Sequence, residues 1–393
     1  MPHTSSVPVD LAGISLASPV ILAAGTAGTL DEMSDVLDLS RVGGIVTKSI
    51  TRLPREGNAT WRILESRAGM INAIGLANIG IDAFLRSEAP RIASVPTRVF
   101  LSIAGFSIED YVEVARAGNT IDAAPAVELN VSCPNVHGGT EFGVDPGLLR
   151  DLVASVRAVL DRKRLFVKLS PVSIAAPGYT IVDLARAALE SGADGLSLCN
   201  TTPAMEIDVH TRLPRLANVT GGLSGPAVHP IVTRLIHLVH RQMEAGSLRR
   251  APIIGIGGVT GWRDAAAFIL AGASAVQMGT ALFADPRGPI KVARGLEAWT
   301  KRHGLPLKQL VGGVKLPEPA SNANAAKPDG RSASALGPGS VTSSRQNGAG
   351  AVAPRAGTSS DAGTSSAANA TPGRGTGAGP GAGAGAGATR TLN

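Results

Sequence analysis

The chain has 393 residues, with 37 Lys and Arg against 30 Asp and Glu, for a net charge of +7. Charged residues make up 17%, below the quarter or so usual in soluble domains. Two cysteines exclude a disulfide framework and an iron–sulfur cluster. The basic residues are too dispersed for a nucleic-acid surface, and no apolar run is long enough to span a bilayer. The first ten residues show neither a basic nor an apolar signal region, so a cytoplasmic chain without membrane association is expected.

Eight short apolar runs recur along the chain: 20–24, 44–47, 99–103, 127–131, 165–169, 195–198, 252–256 and 275–278. Their near-continuous apolar character predicts strands buried on both faces. Helical patterns lie between them. Ser107 caps one before Tyr111, Val112, Val114 and Ala115; Asp145 opens another through Leu149, Leu152, Val153 and Val156; Thr260 starts a third that stops at Gly272. Alternating βα units of this number predict an α/β fold, a (β/α)8 TIM barrel. An open doubly wound sheet is the alternative, but no GxGxxG follows the first strand.

All twelve aromatic residues lie at or before Trp299. The 77 residues from Pro317 onward include 58 Ala, Gly, Ser, Thr or Pro and carry +3 of the net charge. Such a segment buries too little apolar surface to offset its ordering entropy. The expected organisation is a catalytic barrel over 1–316 and a disordered low-complexity tail over 317–393.

Barrel chemistry sits where strands end, at the C-terminal rim. The first strand ends in Ala24 and Gly25, small enough to admit a ligand to the backbone, although a tight turn explains them equally. The second ends in Lys48 and Ser49, where a lysine at a buried strand tip favours an anion nearby. Next come Asn72, Ala73, Ile74, Gly75, Leu76 and Asn78, either a ligand-binding amide loop or a set of turn residues.

The fourth strand runs into Asn130, Cys133, Pro134, Asn135 and His137, the densest chemical stretch. A thiol beside amides at the catalytic face favours a nucleophile or general base over a packing cysteine. Lys168, in register with inward neighbours of the fifth strand, points into the barrel mouth; it is either a Schiff-base lysine or the partner of an anionic cofactor. The sixth strand ends in Leu198, Cys199, Asn200 and Thr201, with Cys199 read as packing. Gly257 and Gly258 after the seventh strand, with Gly279 and Thr280 after the eighth, form the phosphate site common to this barrel. Gly221 to Gly225 reads as a flexible loop facing it. His237 and His240 have no third ligand at metal spacing, and no metal site is expected.

In order and spacing, these stretches resemble the dihydroorotate dehydrogenase family, from about Val9 to Trp299. The carriers are Thr47-Lys48-Ser49, Asn72 to Leu76, Asn130 to Asn135, Val167 to Ser170, Asn200-Thr201, Gly221 to Gly225, Gly257-Gly258 and Gly279-Thr280. The resemblance implies FMN across the barrel mouth, held by Ala24, Gly25, Lys48, Ser49, Ser102, Asn130, Lys168, Leu198, Gly225, Gly257, Gly258, Gly279 and Thr280. Lys168 would stabilise the anionic reduced flavin. Dihydroorotate would be held by Lys48, Asn72 to Leu76 (Ala73, Ile74 and Gly75 included), Asn130, Asn135, Asn200 and Thr201. Cys133 would act as general base, giving orotate in pyrimidine biosynthesis. Ser102 stands where relatives often place Asn.

A Cys base and the absence of an N-terminal membrane extension resemble the cytosolic members. Among them the NAD-dependent type is most similar, in which a second chain carries FAD and a [2Fe–2S] cluster. That implies a heterotetramer built on a homodimer. Fumarate-linked members and a dihydropyrimidine dehydrogenase-like enzyme are the alternatives.

Overall fold

The structure is a computed structural model that describes residues 7–132, 142–171 and 178–317. Cys133 and Asn135, expected at the site, lie outside the described residues, as does the segment after Pro317.

Eight parallel strands close into a barrel. They are β1 (Val20–Leu22), β2 (Gly44–Val46), β3 (Arg98–Ile103), β4 (Ala126–Asn130), β5 (Arg164–Leu169), β6 (Gly195–Leu198), β7 (Ile253–Ile256) and β8 (Ala275–Met278). Each pairs with its neighbours in chain order, and β8 closes on β1 with Gln277 opposite Ile21. Among the described residues the longer helices are α1 (Ile81–Ser87), α2 (Ile108–Asn119), α3 (Pro146–Arg157), α4 (Ile181–Glu190), α5 (His229–Glu244), α6 (Trp262–Ala271) and α7 (Gly288–His303). This is the predicted TIM barrel. None of the described helices is long and apolar enough to cross a membrane.

The two-residue period of a strand divides the core in two. Outward residues such as Val20, Leu22, Val99, Leu101, Val127, Leu129, Leu165 and Val167 pack against the helices in one large cluster. Inward residues Ile21, Val46, Phe100, Ala126, Phe166, Ile254 and Ala275 fill the barrel interior in a second. Phe100 and Phe166 meet edge to face there, with ring centroids 5.9 Å apart. A hairpin of Val9–Leu11 against Ile14–Leu16 adds Leu11, Ile14 and Leu16 to this inner cluster. The inner core is therefore apolar, and polar side chains on the inward parity stand out against it.

Helix starts follow local chemistry. Ser107 accepts from the Asp110 N–H at 3.3 Å, and Asp145 from the Leu148 N–H at 2.9 Å. The start of α6 differs from expectation by one residue: Gly261 is the cap, and Thr260 stands outside it. The reason is Asp264, whose carboxylate turns back to accept from the N–H groups of both Thr260 and Gly261, at 2.9 and 2.8 Å.

Two stretches expected to be loops are strands. Gly69–Asn72 and Gly221–Ser224 pair antiparallel, flanked by Ile63–Ser66 and Thr202–Ala204, in a four-stranded sheet. The glycines are there because backbones approach closely. A Cβ on Gly69 would overlap the Ser224 carbonyl, and one on Gly222 would overlap the Thr201 side chain.

Candidate active site

A cavity of about 620 Å3 opens at the C-terminal ends of the barrel strands, within the range of about 300–1,000 Å3 usual for small-molecule sites. The four-stranded sheet forms one wall, contributing Met70, Asn72, Leu223 and Ser224. The turns after β1, β7 and β8 form the opposite side.

A glycine cradle lies where the β7 turn meets the end of the sheet. Gly225, Gly257 and Gly258 adopt φ of +95°, +136° and +71°, values that side chains disfavour. A Cβ on Gly258 would lie 2.6 Å from the Gly225 carbonyl oxygen and 2.8 Å from His229 Cβ. Gly279 and Thr280 complete the rim. Asp264 fixes the β7 turn from behind, taking the Thr260 hydroxyl at 2.8 Å besides the two N–H groups. Burial works against its ionisation, but these hydrogen bonds prevail and hold its carboxyl below the usual range. His229 lies flat on Phe268, ring centroids 4.6 Å apart, and contacts the Asp264 carbonyl.

The floor is polar and comes from inward positions of β4, β5 and β6. Lys168, 7% exposed, reaches the cavity from β5. Its Nζ lies 3.8 Å from Oε1 of the buried Glu128. Asn130, two residues beyond Glu128 on the same face of β4, also lines the cavity. Its Nδ2 donates to Ser49 Oγ at 3.3 Å, and its Oδ1 accepts from Asn200 Nδ2 at 3.1 Å. Asn200 also donates to Ser132 Oγ at 3.0 Å, while its Oδ1 accepts from the Thr201 N–H at 2.9 Å. Tyr111 of α2 donates to the Asn130 carbonyl at 2.7 Å, pinning the end of β4. Lys48 faces the β1 turn, its Nζ 3.4 Å from where a Cβ on Gly25 would stand.

The cavity gathers most of the residues expected from sequence: Ala24, Gly25, Lys48, Ser49, Asn72, Ile74, Gly75, Leu76, Asn130, Lys168, Asn200, Thr201, Gly225, Gly257, Gly258, Gly279 and Thr280. Three expected residues do not line it. Ser102 is fully buried behind Ser49, the two hydroxyls 2.8 Å apart, so it supports the wall rather than forming it. Leu198 has the outward parity of β6 and packs in the helix-side core. Ala73 turns into a small cluster with Leu64, Ile71 and Leu216. Asn78 behaves as a turn residue: its side-chain amide donates to Thr51 Oγ1 and to the Leu76 carbonyl, both at 2.7 Å.

Cys199, read as packing, is buried yet borders the cavity. Burial pushes its thiol up to about 12 despite Lys168 nearby, so it carries no thiolate at neutral pH. Ser132, Ser170, Thr26 and Phe283, to which the sequence assigns no role of their own, also line the site. Ser170 directly follows β5, a strand-end position that could have signalled it. Among the described residues no cluster of His, Cys, Asp or Glu is arranged to hold a metal.

Fold and rim together define a (β/α)8 barrel whose cavity sets glycine turns beside a buried lysine. The sequence matches the dihydroorotate dehydrogenase family over residues 6–299, and the chain belongs to that family. It is 43% identical over 310 residues to a dihydroorotate dehydrogenase B (NAD(+)) catalytic subunit of Bacteroides thetaiotaomicron, covering 78% of this chain and 98% of that one. A protein of Solibacter usitatus named putative dihydroorotate dehydrogenase A (fumarate) is 45% identical, covering 79% and 99%. Among solved structures, a DHODH from Eimeria tenella in complex with ferulenol aligns with a TM-score of 0.65 at 23% identity, covering 80% of this chain and 90% of that one. That likeness is one of fold.

Proposed function

We propose that this chain oxidises dihydroorotate to orotate with FMN, as the catalytic subunit of an NAD-dependent enzyme. The observation that carries the reading is the meeting, in one cavity, of the glycine cradle and the buried Lys168. The cradle suits a phosphate: Gly225, Gly257 and Gly258 line the cavity at positive φ, in turns where backbone N–H groups can meet an anion. FMN, when bound, supplies the hydride acceptor.

The chain's own residues do the rest. Gly257, Gly258, Gly279 and Thr280 hold the phosphate. Lys168 sets a positive charge where negative charge develops on reduction, in a site shielded from water. Asn72, Asn130 and Asn200 present amides to the substrate ring, and Lys48 meets its carboxylate. Cys133 takes the proton from C5 of dihydroorotate as hydride leaves C6. Support comes by contrast: the other cysteine, Cys199, is held protonated by burial.

With two cysteines in all and no dinucleotide fingerprint, the electron path to NAD needs a partner chain carrying FAD and a [2Fe–2S] cluster. A cytoplasmic heterotetramer built on a homodimer is the assembly proposed. The relatives named as NAD-dependent catalytic subunits favour this acceptor. The Solibacter usitatus relative supports a second reading, with fumarate as acceptor.

Purification from the native host followed by a visible spectrum tests both. A yellow protein bleached anaerobically by dihydroorotate, but not by dihydrouracil, with a co-purifying iron–sulfur chain, is the expected result. A colourless protein that takes up no FMN refutes the flavin reading. Turnover with fumarate and no partner chain selects the second acceptor.

A further inference from the structure

One layer beneath the cavity floor, four polar side chains from four strands meet inside the barrel. Glu128 (1% exposed), Lys168 (7%), Ser197 (0%) and Gln277 (1%) come from β4, β5, β6 and β8. The strand register sets Lys168 opposite Ser197 and Asn130, and Glu128 opposite Phe166, one inward position below Lys168. Glu128 Oε2 accepts from Ser197 Oγ at 2.8 Å and from Gln277 Nε2 at 2.6 Å. Because a carboxylate only accepts, the Gln277 amide must present its nitrogen to it. Glu128 Oε1 has no hydrogen-bond partner among the described residues and lies 3.8 Å from Lys168 Nζ.

A carboxylate here is an expensive choice for the fold. The inward residues around it are apolar, and well-packed apolar replacements of buried ion pairs are often neutral or stabilising. Glu128 does not line the cavity, so it has no contact with a ligand there. Two donors pin its Oε2, which turns Oε1 toward Lys168, a cation that does reach the cavity. Its charge therefore reaches the site only through Lys168 and through space.

We propose that Glu128 is a positioning residue that anchors the Lys168 ammonium and offsets its charge, thereby setting the reduction potential of the flavin. This rests on the FMN reading above. A lone buried lysine would favour the anionic reduced flavin strongly and hold its electrons. A carboxylate behind the lysine weakens that pull and keeps the electrons transferable to the next acceptor.

The test uses the full-length holoenzyme and Glu128→Gln, which keeps shape but removes the charge. Sulfite, which adds to oxidised flavin as an anion, is the probe, alongside a redox titration. Expected is sulfite binding at least tenfold tighter, with a midpoint potential higher by about 30 mV per tenfold for a two-electron couple. Glu128→Asp, retaining the charge, should stay near wild type. Lys168→Met should weaken sulfite binding, and adding Glu128→Gln to it should change sulfite binding by less than threefold. Glu128→Met, which needs no hydrogen bond, carries the same expectation if the Gln variant does not accumulate. Unchanged or weaker sulfite binding and an unchanged or lower potential in Glu128→Gln and Glu128→Met overturn the proposal. If the wild-type protein binds no FMN, the flavin reading fails instead, which separates the two.

Discussion

Gly258 offers the sharpest test of the cradle. Its φ of +71° costs an alanine about 1–2 kcal/mol. The added Cβ would meet the Gly225 carbonyl oxygen at 2.6 Å and His229 Cβ at 2.8 Å, neither at the end of a flexible side chain. Relieving such an overlap costs a further ~1–3 kcal/mol. If the turn yields outward, into the space the phosphate needs, FMN affinity should fall by roughly 30-fold to several thousandfold, the equivalent of about 2–5 kcal/mol. Gly246 supplies the control, since its φ is +75° and nothing lies within 4 Å of its Cβ position. Gly246→Ala should lower the melting temperature slightly and leave FMN binding alone. Fluorescence titration of apoprotein with FMN, paired with thermal unfolding, reads both effects. A Gly258→Ala protein that binds FMN within threefold of wild type, at unchanged melting temperature, would show that the cradle is not where the phosphate sits.

Four further outcomes are expected. Asp264→Asn should cost about 1 kcal/mol at pH 7, the usual size of a helix-cap loss. The folded Asp264 pKa is depressed, so its contribution is present above the unfolded value of about 3.9 and lost as pH falls through the lower folded value; denaturant melts should show the gap between variant and wild type closing only below about pH 4. Cys199→Ser should leave the pH–rate profile unchanged, because a thiol pushed to about 12 takes no part in the neutral range. Cys133→Ser should instead lower turnover at least a hundredfold and displace the rising limb to higher pH, since a hydroxyl is a poorer base than a thiol. Finally, a chain ending at Leu316 should keep its FMN content and dye-linked activity; loss of either shows that the low-complexity segment contributes to the site.

The barrel was legible because its strands are buried on both faces, so each announces itself as an apolar run, from Val20–Leu22 to Ala275–Met278. The rim was legible because glycines and amides recur at strand ends. What escaped is what depends on partners distant in sequence. Gly69–Asn72 and Gly221–Ser224 look like loops, since their glycines serve close approach to each other and no local pattern shows it. Leu198 and Ser197 differ only by strand parity, and parity decided which one faces inward. Ser102 became a supporting residue because Ser49 fills the space in front of it. Glu128 lies two positions before Asn130, yet its meaning required Gln277, 149 positions away.

The cavity wall built by the four-stranded sheet has a consequence for how the molecule matures. Asn72 reaches the Gly222 carbonyl across 150 positions of sequence, and the strands on either side come from the excursions after β2 and β6. Neither half of the wall can find the other until most of the barrel has been synthesised and brought round, and contacts of such separation form late and slowly. The pocket therefore lacks this wall until both excursions are in place, so it is a property of the assembled barrel and of no shorter stretch of chain.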